Sequence, residues 1–89
     1  MSNAKPKRNT RRGPKPQHHS GYIRLVAFLR EARIDQGLTQ RELAARLSRP
    51  PSYVHKGETG SRRLDFREVV EWCGVLGLSV TEAAKVASR

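Results

Sequence analysis

Cysteine is nearly missing from this sequence: Cys73 stands alone among 89 residues. No disulfide can form within the chain and no zinc-ligand set of cysteines exists, so a reducing cytoplasm is the expected setting. Long apolar runs are missing as well. The longest hold a few residues, against the ~18 or more that a membrane-spanning helix requires, and the N-terminus carries no apolar signal segment. A soluble, unexported chain without a membrane partner is therefore expected. No stretch alternates apolar and polar residues for long enough to make a strand, which leaves all-α as the expected fold class. Chemistry is equally sparse. There is no paired-carboxylate site, no nucleophile with a base, no phosphate-cradling glycine loop and no metal cluster, so no enzymatic activity and no cofactor is expected. A chain this short is expected to form one small domain, with no room for an effector-sensing second one.

Acidic residues are scarce beside basic ones, 8 against 18 Lys and Arg, for a net charge of +10. Such an excess points to an anionic polymer or an acidic surface as partner, nucleic acid first. The charge is uneven. Residues 1–21 hold Lys5, Lys7, Arg8, Arg11, Arg12 and Lys15, with no acid and no apolar period, and are expected to be a disordered basic arm in which His18 and His19 are a solvated pair. Residues 22–89 keep 12 basic residues and all 8 acids, the balance of a folded, moderately basic body.

Leu25, Phe28, Leu29 and Ala32 recur at helical spacing and predict a first helix over about 22–36. Gly37 suits a left-handed cap, and Thr39 with Glu42 three residues later is a capping-box pattern that starts the next helix at once. Leu43, Ala44 and Leu47 give that second helix its apolar face. Two adjacent prolines then punctuate the chain. The residue before a proline avoids the right-handed helical region, so Arg49 and Pro50 are expected in a turn, and Pro51 suits the first position of a third helix running to about Thr59. A fourth helix is expected over about 66–76, with Val69, Val70, Cys73 and Leu76 as its buried stripe, and a fifth from about Thr81. Trp72 falls one step off that stripe, at a core, rim or interface position. Cys73 reads as a small buried apolar residue.

In this order and spacing, Arg33, "GLTQRELAARL" at 37–47, "SYVHKGETGSRRL" at 52–64 and "LGLSV" at 76–80 resemble the lambda-repressor-like, or XRE-like, helix-turn-helix domains of phage repressors and bacterial transcription regulators. The resemblance covers about 25–80 and implies a five-helix DNA-binding domain over 22–89, commonly dimeric on a two-fold symmetric operator, with the third helix in the major groove. Gln40 then matches the glutamine that opens the second helix and touches a phosphate or base edge. Ser52, Tyr53 and Lys56 match outward positions of the recognition helix. Lys56 would donate to O6 and N7 of guanine, Ser52 would meet a base or phosphate, and Tyr53 would meet a thymine methyl or a phosphate, although it reads equally as a core or rim residue. His55 lies beside them. Arg49 in the turn, with Arg62 and Arg63 after the third helix, match backbone contacts, and Arg33 with Glu58 match a partly buried structural ion pair. Two positions depart from the pattern. Gly57 stands where a bulky apolar residue is usual, which predicts a loosely seated third helix, and Ser48 stands where a residue tolerant of the left-handed conformation is usual.

Arg11 and Arg12 open "RRGPKP" at 11–16, which faintly resembles the Arg-Gly-Pro hooks that enter narrow minor grooves but lacks the arginine between glycine and proline. The arm is expected to add sequence-independent affinity through counterion release, unless it is only a solvated tail. The expected function is a bacterial or phage-encoded, nucleoid-associated transcriptional regulator, most simply a repressor, that binds double-stranded DNA with sequence specificity. It would act as a homodimer or with a protein partner such as a toxin or another regulator. Two alternatives stand beside it: a nucleic-acid binder of low specificity, and a protein-interaction module that kept the fold.

Overall fold

The computed structural model describes residues 19–89, so all but the last three residues of the expected arm, Arg11 and Arg12 included, lie outside the described residues. The described chain forms five helices and no strand: α1 (Ser20–Asp35), α2 (Gln40–Arg46), α3 (Pro51–Thr59), α4 (Phe66–Leu76) and α5 (Val80–Ala87). α1 begins earlier than its apolar spacing predicts. The ring Nδ1 of His19 accepts the Gly21 N–H at 3.0 Å, so His19, exposed to solvent, also caps the helix. Gly21 is buried, and a Cβ there would run into the backbone carbonyl of Ala87, which lets the start of α1 lie against the end of α5. α5 likewise starts one residue before Thr81, because the Ser79 hydroxyl accepts the N–H groups of Thr81 and Glu82.

Local chemistry sets the remaining boundaries. The Thr39–Glu42 capping box is closed in both directions, and Asp65 with Glu68 forms a second one at the head of α4. α2 ends in a Schellman turn: the Ser48 N–H bonds to the Ala45 carbonyl at 3.0 Å and the Arg49 N–H to the Ala44 carbonyl at 2.9 Å. Ser48 holds φ at 58°, while the other described residues with positive φ are all glycines, Gly37, Gly60 and Gly77. The turn thus keeps its left-handed path with serine at the critical position.

α1 pairs with α5 and α2 with α3, and α4 lies against α1 and α5. Leu29, Leu43, Val54, Trp72 and Cys73 are wholly buried at the centre, each large apolar side chain contributing about 1.5–3 kcal/mol of transfer energy. One expectation on α4 needs correction, since Val70 is 39% exposed, and among the core, rim and interface positions open to Trp72 the structure selects the core, where it is fully buried. Counting from Val69, the positions i+3, i+4 and i+7 are Trp72, Cys73 and Leu76, so the helical period selects the tryptophan and turns Val70 outward.

Trp72 also accounts for Gly57. A Cβ on Gly57 would stand 3.2 Å from Cζ2 and 3.4 Å from Cη2 of the indole, and 3.3 Å from Cδ2 of Leu64. The space of the expected bulky residue is filled from α4, so Gly57 is buried at a close contact and α3 is seated, contrary to the expectation of looseness.

Candidate nucleic-acid interface

α3 spans Pro51–Thr59, with Pro51 at its first turn and Gly60 in the left-handed conformation after it. Tyr53, Val54 and Gly57 face the core, whereas Ser52, His55, Lys56 and Thr59 are exposed. At 3.6 residues per turn those four exposed side chains fall within an arc of about 100°. Among the described residues neither Lys56 nor Arg63 makes an ion pair, and both are exposed. Thr59 belongs to this face although the expectation passed over it; the spacing of seven residues from Ser52 carries that signal.

One edge of the face is buttressed by an ion pair. Glu58 accepts from Arg33 at both carboxylate oxygens, from Nε at 2.7 Å and from Nη2 at 2.9 Å, and Arg33 spends Nη1 on the Leu38 carbonyl at 2.7 Å. The side chains are 10% and 1% exposed, so both charges are desolvated and paired, and the helix–helix junction depends on the pair staying complete. Gln40 joins the same group. Its Nε2 donates to Glu58 Oε1 at 2.9 Å and its Oε1 lies 3.3 Å from His55 Nδ1, so the amide links the buried pair to the exposed face.

The opposite edge is built on Tyr53, which is a correction to its expected outward place. Tyr53 is 7% exposed; its hydroxyl donates to Glu68 Oε2 at 3.1 Å and accepts from Trp72 Nε1 at 3.0 Å. Tyr53 lies about 100° around α3 from Ser52, beyond Lys56 on the core side of the exposed arc, and its ring, 6.0 Å from the indole of Trp72, is buried there. Burial is also the main cause that raises the phenol pKa above its usual range. The guanidinium carbons of Arg49 and Arg62 lie 4.5 and 5.0 Å from the Tyr53 ring centroid, within cation–π range.

Glu68 binds this edge together. It accepts from Arg62 Nη1 at 3.0 and 2.8 Å, from Arg49 Nη1 at 3.3 Å and from the Asp65 N–H at 2.9 Å. Burial alone would raise its pKa, but the Arg62 hydrogen bonds, the Asp65 N–H and the Tyr53 hydroxyl outweigh it and hold the carboxyl at about 2. Arg49 makes a second pair with Glu71 at 3.2 Å. Glu68 was missed as a site residue, although Asp65-x-x-Glu68 repeats the capping pattern visible at Thr39 and Glu42.

A family model described as a helix-turn-helix domain matches residues 24–86, from within α1 to the penultimate residue of α5. The chain belongs to this helix-turn-helix family. It falls in the lambda-repressor-like, XRE-like group. No curated protein matches the sequence. In this helix-turn-helix domain α2 and α3 are the paired helices, the Schellman turn at Ser48 joins them, and the exposed residues of α3 form the face between two glutamate-centred supports. The structure brings Ser52, His55 and Lys56 onto that face, sets Gln40 at one edge, sets Arg49 and Arg62 at the other, and turns Tyr53 beneath it. No helix among the described residues is long and apolar enough to cross a membrane.

Proposed function

We propose that this helix-turn-helix domain is a sequence-specific DNA-binding transcriptional regulator that represses by occupying its operator, with α3 laid in the major groove of double-stranded DNA. The observation that carries the proposal is the outward face of α3: Ser52, His55, Lys56 and Thr59 share one arc, and no exposed acid interrupts it. A major groove about 12 Å wide admits one α-helix, and a nine-residue helix of ~13 Å matches the few base pairs such a motif reads. Lys56 donates to the O6 and N7 acceptors of guanine and Ser52 bonds a base edge or phosphate. Arg49, Arg62 and Arg63 meet the backbone, and Arg11 and Arg12 add salt-dependent affinity. In a cytoplasmic homodimer two such faces read half-sites ~34 Å apart.

The test is selection of binding sites from a randomised duplex pool by the intact protein at ~150 mM salt, where non-specific affinity is suppressed. Enrichment of a two-fold symmetric sequence is the expected result. Retention without any consensus would leave a low-specificity binder, and no retention would leave a protein-interaction module.

A further inference from the structure

Arg49 precedes α3 and Arg62 follows it, yet their side chains converge on one carboxylate. Both Nη1 atoms donate to the same oxygen, Glu68 Oε2, at 3.3 and 2.8 Å. That places the two nitrogens within about 6 Å of each other, close enough for one phosphate to meet both guanidinium groups. Glu68 is fixed independently of the arginines. Its Oε1 accepts the Asp65 N–H at 2.9 Å, and Tyr53, itself held by Trp72 Nε1, donates to Oε2. The arrangement is graded from inside to outside: the Glu68 side chain is 9% exposed, that of Arg49 30% and that of Arg62 42%. Arg62 engages only Nη1 in described hydrogen bonds, which leaves Nε and Nη2 free to donate.

We infer that Glu68 is the positioning residue of a two-arginine clamp, in which Arg49 and Arg62 grip a single backbone phosphate at the Tyr53 edge of α3. The inference rests on the DNA-binding function proposed above. It runs against simple charge counting, in which a glutamate near DNA repels the phosphates and its loss strengthens binding. A positioning role has the opposite sign: without Glu68 the arginines swing apart and the phosphate contact is lost.

The experiment uses the intact chain and a mixed-sequence 24-base-pair duplex, with affinity measured at several salt concentrations. Glu68→Gln is expected to bind three- to ten-fold more weakly and to reduce the slope of log K against log salt by roughly 0.9, the value of one phosphate. Partial unfolding would lower the amplitude of binding and leave the slope unchanged. Arg49→Gln and Arg62→Gln are expected to be non-additive, the pair together reducing the slope little more than either alone. If Glu68→Gln does not fold by circular dichroism, Tyr53→Phe is read instead. It changes no charge, so a two- to three-fold loss of affinity supports the clamp and unchanged affinity overturns it. Tighter binding or an unchanged slope in folded Glu68→Gln overturns the clamp while the DNA-binding proposal stands. Failure of the unsubstituted protein to bind the duplex at low salt overturns both.

Discussion

Gly57 and Trp72 fit each other as notch and ring: the indole edge stands 3.2 Å from where a Cβ of residue 57 would be. Alanine at 57 gains about 1 kcal/mol of helix propensity, but it must push against a wholly buried indole anchored through Nε1 to Tyr53. Gly57→Ala is expected to lower stability by roughly 1 kcal/mol and Gly57→Leu by about 3 kcal/mol. In a Trp72→Phe background, which removes the two indole atoms and leaves only Leu64 Cδ2 at 3.3 Å, the cost of Gly57→Ala should shrink markedly. A double-mutant cycle by thermal melting checks this; purely additive effects would show that the two residues do not touch.

Ser48 holds φ at 58° in a Schellman turn whose counterparts end in glycine. The left-handed conformation costs a side chain roughly 1–2 kcal/mol, of which glycine's greater freedom in the unfolded chain gives back a part. Ser48→Gly is expected to raise stability by about 0.5–1 kcal/mol, and Ser48→Val to lower it by at least ~1 kcal/mol. Urea midpoints of the two variants are the measurement, and equal midpoints would refute the expected difference.

The carboxyl of Glu68 titrates near 2 in the folded protein against 4.5 when unperturbed. A depressed folded pKa means that its stabilisation is fully present above about pH 4.5 and is lost as the pH falls to about 2. The loss is on the order of 2 kcal/mol after allowance for solvent at the cluster's edge. Glu68→Gln should flatten the stability profile across that window while lowering stability at pH 7. Denaturant titrations between pH 5 and pH 2 decide it, and an equally steep profile in the variant would assign the acid sensitivity elsewhere.

Arg33 and Glu58 are joined at two oxygens with almost no solvent access. Glu58→Ala leaves the buried Arg33 guanidinium without its counter-ion and is expected to cost about 3–5 kcal/mol. The double substitution Arg33→Met with Glu58→Leu should cost much less, because no charge is then stranded. Thermal unfolding of the single and double variants gives the coupling directly.

On the proposed DNA contacts, Lys56→Ala is expected to relax the preference at one base pair, with a discrimination loss of about 1–3 kcal/mol there. Arg63→Ala should weaken all sequences alike and reduce the salt slope by roughly 0.9. Site selection repeated with each variant separates the two roles.

The helix boundaries were the most legible part of this sequence, because caps are local. Thr39 with Glu42, Pro51 after Pro50, and Gly60 and Gly77 act within a turn of where they stand, and α3 and α4 run where those signals put them. The stripe of α4 is less legible, because Val70 stands beside Val69 in the apolar pattern while the helical period joins Val69, Trp72, Cys73 and Leu76 and settles Trp72 in the core. The meaning of Gly57 was hidden for a different reason: its compensation comes from a ring 15 residues away, which no local pattern announces. Tyr53 and Glu68 illustrate the same limit, since a phenol can face water or a carboxylate, and only packing between α3 and α4 brings the carboxylate within 3.1 Å.

Arg24 on α1 donates through Nε to the carbonyl of Val86 at 3.3 Å, across 62 positions of sequence, and through Nη2 to that of Arg89. Together with the Gly21–Ala87 contact, this makes the α1–α5 seam the least local join among the described residues. A chain leaving the ribosome therefore carries α1 with an open apolar flank until α5 has been made. The α2–α3 pair, closed by neighbours in sequence, can form long before that. On contact separation alone, the α2–α3 turn that bears the exposed face is expected to pair before the α1–α5 seam closes.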